Sequence, residues 1–141
     1  MSNERKIYEF NPVVYPFRLW VGVDIPCEEI KKKFFAWNFE DDTISDITDI
    51  SLFNGTAAAT TYPVCAKADN WIGALVNIRR KDKCSVGVIA HEASHVCDFL
   101  SDRLGLVGDI NNLFSHGEAR AYFIEWVADC INSVKQNKVK G

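Results

Sequence analysis

The segment that reads VIAHEASHVCDFL, residues 88–100, constrains the fold of this chain more than any other. It places His91 and His95 four residues apart and puts Glu92 directly after the first histidine. The apolar pattern around these residues predicts a helix from about residue 85 to residue 104. Because residues four apart lie on one face of a helix, both imidazoles are expected to point in the same direction.

Apolar residues form a broad arc on this predicted helix, and the two histidines lie at one border of the arc. Its members are Val86, Val88, Ile89, Ala93, Val96, Cys97, Phe99 and Leu100. Glu92 falls inside the arc, about 100° from His91. An ionised carboxylate in an apolar sector is costly unless a cation or a polar partner lies nearby. We therefore predict that the helix is half buried and that a bound cation offsets the cost of burying the charge of Glu92.

The pattern HExxH on a helix is typical of a zinc site. Two neutral imidazoles bind one ion, and the glutamate beside them can hold a water and take its proton. Zinc lowers the pKa of a bound water to about 7, although histidine and carboxylate ligands also accept other divalent ions. A chance match is the alternative, since about one chain of this length in a few hundred contains the motif. Because the motif lies on a predicted half-buried helix, we favour a metal site over a chance match. His91 and His95 would be the ligands, with Glu92 beside them.

A catalytic zinc ion usually has three protein ligands, and the downstream sequence SHGEARAYFIEWVADCI offers candidates for the third. Glu118 opens a second predicted helix, and His116 lies just before it. A site with only two protein ligands is the remaining possibility. Glu118 also has a structural interpretation. Ser115 and Glu118 fit the S-x-x-E pattern of a capping box, in which the glutamate caps its own helix. It further shares a polar stripe with Tyr122 and later acidic residues, and such a stripe can simply face solvent.

Strand patterns precede helix patterns along the chain, which predicts an α+β fold with a small antiparallel sheet and helices packed on one face. A strand is predicted over residues 12–23 and a helix over 26–37. A hairpin is predicted from strands at 57–67 and 71–78, joined by the turn sequence ADN. The last helix is predicted over residues 117–134. We interpret residues 1–141 as a single domain, with 1–8 and 135–141 as flexible ends.

Composition excludes several classes of protein. A net charge of -3 argues against a general nucleic-acid binder, which needs a basic surface to neutralise phosphates. No apolar run approaches the ~18 residues that span a bilayer, so no membrane partner is expected. The start MSNERKIYEF is polar and predicts no secretory signal. The five cysteines are an odd number without a CxxC pair, which indicates a reducing, cytoplasmic location and buried thiols rather than disulfides.

The combination of HExxH with the later GEARA resembles the glutamate-zincins, the thermolysin-like clan of metallopeptidases. HGEARAYFIEWV is also similar to the pattern that follows HExxH in small single-domain zincins of bacteria, phages and mobile elements, including the ImmA/IrrE group. The resemblance covers residues 86–131. The metzincin pattern is absent, because Asp98 and Ser101 stand where it needs glycine and histidine.

The resemblance implies a zincin-like domain with the HExxH motif on a central helix and Glu118 as the third zinc ligand. It implies a zinc metallopeptidase that acts on a peptide or protein substrate, in which Glu92 activates the attacking water. His116 and Tyr122 are candidates for stabilising the oxyanion. It further implies that strand 71–78 presents an edge to an extended peptide. The alternative is a catalytically inactive zincin-fold module that keeps the metal site and binds a protein partner.

One position departs from the thermolysin-like pattern. Four residues after their glutamate ligand, those enzymes often have an aspartate that orients a zinc-bound histidine, and Tyr122 stands there in this chain. A ligating histidine needs a partner for its other ring nitrogen, so Asp98 or a backbone carbonyl is expected to supply one. Arg120 lies in the apolar arc of the last predicted helix, where it either makes a buried ion pair with a carboxylate or covers the core with its stem and keeps its head in water.

Overall fold

A computed structural model describes residues 6–48, 57–107 and 117–139 of the chain. In chain order the elements are β1 (Ile7–Phe10), β2 (Arg18–Val23), α1 (Cys27–Lys33), β3 (Phe34–Asn38), β4 (Thr43–Ser45), β5 (Ala59–Ala66), β6 (Ile72–Ile78), a 3-10 turn (Lys81–Lys83), α2 (Val86–Val107) and α3 (Glu118–Lys135). The predicted α+β class is confirmed. No helix within the described ranges has the length and apolar character needed to cross a bilayer.

The strands form one six-stranded sheet in the order β1-β2-β6-β5-β3-β4. The sheet is mixed, and the prediction of an antiparallel sheet is wrong at one pair, because β2 and β6 run parallel from Arg18↔Gly73 to Val23↔Ile78. These two central strands read RLWVGV and IGALVNI, nearly continuous apolar runs. Such runs suit strands that are covered on both faces, and this is the usual setting of parallel pairing.

Helices cover both faces of the sheet, so the prediction that they pack on one face is wrong. The long helices α2 and α3 bury residues such as Val96 and Val127 against Leu19 and Val21 of β2. On the opposite face, the short helix α1 buries Ile30 in a second cluster, whose members also include Trp20, Phe34, Ala66 and Leu75. Side chains alternate along β2 and β6, and both faces of these strands are apolar, so each face requires its own cover.

The helix predicted over residues 26–37 ends early, because α1 stops at Lys33 and β3 begins at Phe34. Residues Phe34–Ala36 pair with β5, so the aromatic run FFAWN satisfies its backbone in the sheet. Aromatic residues suit a pleated surface, and here they alternate between the two faces. Phe34 joins the cluster on the α1 face, whereas Trp37 joins a separate cluster with Cys65 and Ile72.

The elements that carry the motif agree with the sequence. The hairpin is confirmed, with β5 and β6 antiparallel from Ala59↔Ile78 to Cys65↔Ile72. The helix predicted over 85–104 is α2, which continues to Val107, and the last predicted helix is α3. The strand predicted over 12–23 is shorter, since β2 begins at Arg18, and the sequence analysis missed β1.

Gly73 of β6 lies directly against the backbone of its β2 partner Arg18. A Cβ atom at this position would lie 1.9 Å from the backbone oxygen of Arg18 and 2.8 Å from the indole of Trp20. Neither neighbour can withdraw without moving β2, so the parallel pair depends on the absence of a side chain here.

Gly73→Ala is expected to lower the free energy of unfolding by about 3 kcal/mol or more, because the added methyl group forces two central strands apart. Gly87→Ala in the first turn of α2 is the matched control. There the added Cβ meets only the Ser85 hydroxyl at 3.7 Å, so this change should raise stability by about 0.5 kcal/mol. Urea unfolding measures both, and equal effects of the two substitutions would contradict the strand contact.

The five cysteines are free thiols, and four of them are buried: Cys65, Cys84, Cys97 and Cys130. Burial raises the pKa of Cys97 and of Cys130 to about 12. The thiolate is the reactive form, so these side chains are small core residues rather than nucleophiles.

In the folded protein at pH 8, Cys27 is expected to react first with a thiol reagent such as dithionitrobenzoate, because it is the partly exposed cysteine. The four buried thiols should react only after denaturant is added. The absorbance of released thionitrobenzoate gives the count at each stage. Rapid reaction of all five thiols without denaturant would show that the core opens far more readily than its packing indicates.

Candidate metal centre

Helix α2 begins with a serine cap and buries one face against the sheet. The Ser85 hydroxyl accepts a hydrogen bond of 3.2 Å from the backbone N–H of Val88, which satisfies a donor of the first turn. Most members of the predicted arc, such as Ile89, Ala93 and Val96, are buried in the main cluster or pack against it, but Val86 in the first turn is 83% exposed, so its predicted place on the buried face is wrong. The sequence-predicted orientation of this helix is therefore confirmed, and it leaves His91 and His95 exposed at the border of the buried face.

The two histidines lie together. Their Nε2 atoms are 3.1 Å apart, and their rings meet edge to face at 80° with centroids 4.7 Å apart. Two nitrogens bound at about 2.0 to 2.1 Å to one tetrahedral zinc ion are separated by roughly 3.3 Å. The observed spacing fits a shared cation. It also fits an N–H···N hydrogen bond between one protonated and one unprotonated ring nitrogen.

Glu92 is buried, with 4% of its surface exposed. Its Oε2 atom accepts a long hydrogen bond of 3.5 Å from the hydroxyl of Thr61 in β5. Burial raises the pKa of Glu92, while the neighbouring His91 and the Thr61 hydroxyl act in the opposite direction. The sequence-based expectation that this carboxyl lies inside the apolar arc is confirmed.

Asn77 provides a comparison, because it is a buried polar residue of the same domain. Its side chain accepts a hydrogen bond of 3.0 Å from the N–H of Ile25 and donates one of 3.1 Å to the Ile25 carbonyl. Asn77 thus has a clear structural purpose, joining β6 to the segment before α1. The single long hydrogen bond of Glu92 does not account for its burial in the same way, which is typical of a residue kept for chemistry.

A cleft of about 430 Å³ opens beside the motif. Its walls are the start of β5 and the first turns of α2, and its lining residues are Ala57, Ala58, Ala59, Ser85, Gly87, Val88, His91 and Glu92. Apart from the two motif residues, no lining side chain is larger than valine. The motif therefore faces an open space that could admit part of a ligand.

An open strand edge lies next to this cleft, and it belongs to β5. Strand β3 pairs with β5 only at positions 64–66, so residues 59–63 have no strand neighbour on that side within the described part of the chain. Thr61, which contacts Glu92, lies in this stretch. The expectation of an edge at strand 71–78 is wrong, because β6 is paired on both sides, with β2 and with β5.

Glu118 is the first residue of α3, and its side chain is exposed. On the helical wheel it lies about 140° from Phe123 and about 180° from Val127, which are buried against the sheet. Across residues 6–48, 57–107 and 117–139, no three His, Cys, Asp or Glu side chains gather where they could hold one metal ion. The structure thus brings His91 and His95 together, with Glu92 next to His91 in the lining of the same cleft, and the assignment of Glu118 as third ligand stays a prediction.

Of the two oxyanion candidates, Tyr122 is described by the structure, and it does not line the cleft beside the histidine pair. Tyr122 is 66% exposed and lines a separate groove with Val14, Tyr15 and Trp126. His116 lies outside the described residues. Their catalytic roles therefore stay predictions without support from the described geometry.

Asp98 has a partner other than a histidine. Its Oδ1 atom accepts a hydrogen bond of 3.0 Å from Arg120, which ties α2 to the first turns of α3. Arg120 does pair with a carboxylate, but the expectation of a buried pair is wrong, because the side chains of Arg120 and Asp98 are 25% and 59% exposed. Asp98 lies one turn after His95, so this ion pair joins the motif helix to the first turn of α3 close to the histidine pair.

Sequence reasoning missed Thr61 and the alanines that line the cleft. The contact between Thr61 and Glu92 spans 31 residues of sequence, and no local pattern announces a contact of that range. A threonine pair within an otherwise apolar strand was the available signal, and it is a weak one. No family model, curated protein or solved structure matches this chain, so its function is argued from the site itself.

Glu92→Gln is expected to raise the free energy of unfolding of the metal-free protein near neutral pH. Burial raises the pKa of Glu92, so the stability associated with its protonated form is present below the pKa of the unfolded chain. That stability is lost as the pH rises through the folded-state pKa, whereas the amide stays neutral throughout. The advantage of the variant should therefore shrink toward pH 4.

Urea titrations at pH 4, 5.5 and 7 in the presence of a chelator measure this difference. Glu125→Gln, at an exposed position of α3, is the control and should show little change with pH. A Glu92→Gln effect that is the same at pH 4 and pH 7 would mean that the carboxyl ionises as freely in the folded chain as in the unfolded one.

Proposed function

We propose that this protein is a zinc-dependent metallopeptidase that hydrolyses peptide bonds with a metal-activated water. The observation that carries the proposal is the spacing of 3.1 Å between the Nε2 atoms of His91 and His95, beside the buried carboxyl of Glu92. The donor set is chemically suitable, because neutral imidazoles are preferred zinc ligands. All three groups lie on one helix, where the backbone fixes their relative positions.

His91 and His95 would hold the metal ion, with Glu118 as third ligand on the strength of the GExxA resemblance. Since the described residues bring no third ligand to the pair, Glu118 would reach the ion only through a change in the first turn of α3. When bound, zinc supplies Lewis-acid chemistry, lowering the pKa of a coordinated water and polarising a carbonyl oxygen.

Glu92 is the general base of the proposed reaction. It takes a proton from the water that attacks the peptide carbonyl, and it then passes that proton to the leaving amine. A raised pKa suits this double role, because the carboxyl must hold the proton between the two steps. The Thr61 hydroxyl, 3.5 Å from the carboxyl, helps to fix its position.

The substrate of this proposal is an extended peptide or protein segment. The open edge of β5 at residues 59–63 offers backbone hydrogen-bonding groups beside Glu92, so a peptide can add to the sheet as a further strand. The adjoining cleft of about 430 Å³ can receive a substrate side chain. A reducing, cytoplasmic location belongs to the same proposal and is supported by the free thiols.

A binding module without turnover is the second candidate, and one observation favours it. No third ligand accompanies the histidine pair among the residues that the structure describes, and catalytic zinc sites usually have three. In that case the open edge of β5 would hold a partner segment without cutting it.

Purified protein is expected to contain one zinc ion per chain by mass spectrometry of the metal, and His91→Ala or His95→Ala should abolish its binding. Glu92→Gln should keep the metal yet lower the rate of peptide cleavage by about 100-fold or more, because it removes the general base. Cleavage is measured with an unstructured protein substrate and peptide mass spectrometry.

Matched variants separate the possible outcomes. Glu118→Gln should weaken zinc binding, whereas Glu125→Gln on the same exposed stripe should not; equal affinities would remove Glu118 from the ligand set. Wild-type protein that holds zinc and cleaves nothing would favour the binding module. A chain that holds no metal under any loading condition would overturn both candidates.

A further inference from the structure

A second cavity lies on the face of the sheet opposite to the motif helix. Its volume is about 650 Å³, within the range of ligand pockets. Residues of β1, β2, the end of α1, the start of β3 and the turn after β5 line it. Trp20, Phe34 and Ala66 of this lining belong to the cluster that packs with α1, whereas α2 and α3 contribute to the cluster on the other face. The cavity is therefore separate from the histidine pair.

The floor of this cavity is aromatic and rigid. Trp20 and Phe34 are 5% and 3% exposed, and their rings meet edge to face with centroids 5.0 Å apart. The indole N–H of Trp20 donates a hydrogen bond of 3.0 Å to Glu9, which satisfies the ring's only polar atom and fixes its plane. Ile7 and Ala66 complete the apolar part of the lining.

Lysines border this aromatic floor. Lys32 and Lys33 at the end of α1 and Lys67 after β5 line the cavity, opposed by the carboxylates of Glu9 and Asp69. Glu9 is bound to the indole, and Asp69 accepts a hydrogen bond of 3.2 Å from the backbone of Trp71. Three lysines and two carboxylates thus line one cavity, which leaves its lining with a net charge of +1 in a chain whose net charge is -3.

The basic wall is held in place by hydrogen bonds. The ammonium of Lys67 donates to the carbonyl of Lys31 at 2.7 Å, and its backbone N–H donates to the carbonyl of Lys33 at 2.9 Å. These contacts join the end of α1 to the turn between β5 and β6. Because these hydrogen bonds hold the two segments together, Lys32, Lys33 and Lys67 remain in the lining of the same cavity.

We propose that this cavity binds a small organic anion that consists of a flat apolar body and a carboxylate or phosphate group. The apolar body occupies the part of the cavity lined by Ile7, Trp20 and Phe34, and the anionic group lies among Lys32, Lys33 and Lys67. Both parts of the cavity are needed to bind such a ligand. Lysines without the aromatic floor would bind only counterions, and the floor without lysines would not select a negatively charged molecule. The site does not depend on the metal centre or on its activity.

Calorimetric titration of the full chain with 1-naphthyl phosphate, 1-naphthoate and uncharged 1-naphthol tests this site. Both anions should bind saturably at one site, and naphthol should bind about tenfold more weakly or worse, because it lacks a charge-assisted contact. The tighter of the two anions identifies the head group. Inorganic phosphate alone should bind more weakly than naphthyl phosphate, and equal affinity would overturn the role of the aromatic floor.

Charge-matched variants locate the binding. Lys32→Gln with Lys33→Gln should weaken the anions about tenfold or more. Lys81→Gln with Lys83→Gln removes the same charge from the 3-10 turn, outside the cavity lining, and should change affinity less than twofold. Equal losses of anion affinity in the two double variants would show that binding depends only on the overall charge of the protein, and they would overturn the proposal.

Two further variants complete the test. Ala68→Trp places a large ring into the cavity from an exposed turn and should abolish binding without disturbing the core. His91→Ala should bind the anions as the wild type does. Absence of saturable binding, indifference to Ala68→Trp, or loss of binding in His91→Ala would each overturn the assignment, the last because the anion would then occupy the histidine pair.

Discussion

The close contact of β2 with β6 at Gly73 is the constraint on which the rest of this structure depends. It allows two apolar strands to run parallel in the middle of a sheet whose other neighbours are antiparallel. Because both faces of these strands are apolar, both must be covered. One face receives α2 and α3 and thereby the histidine pair, while the other receives α1 and leaves the aromatic floor beside it. The two candidate sites are thus consequences of one piece of sheet geometry.

Glu92 and Asn77 show how a small domain distributes its buried polar groups. Asn77 closes two hydrogen bonds with one neighbouring residue and is explained by the fold. Glu92 is nearly as buried but has a long contact with Thr61, and its ionisation is costly there. Burying this carboxyl costs free energy, and the protein offsets that cost with only a weak hydrogen bond. Binding of a ligand at the site is the simplest explanation. In the proposed function that ligand is a metal ion held by the exposed imidazoles of His91 and His95.

The sequence predicted the features that depend on local pattern. The 3.6-residue period located α2 and α3, and the turn ADN located the β5–β6 hairpin. Prediction from the sequence failed where contacts between distant parts of the chain decide the structure. Phe34–Asn38 follows helical spacing from Ile30 but is drawn into the sheet by β5, and no local signal reveals that β2 lies parallel to β6. The place of Glu118 likewise depends on how α3 docks, and that is decided by long-range packing of residues such as Phe123 and Val127 against the sheet.

The tie between Lys67 and the end of α1 has a consequence for how the chain reaches its native state. A helix of seven residues is too short to persist alone in water. Its last carbonyls are held by a residue that takes its position only once the β5–β6 turn has formed. We therefore expect the hairpin to be an early folding unit and α1 to order afterwards, on top of it. The segment Cys27–Lys33 would then be the last to gain, and the first to lose, protection against amide hydrogen exchange.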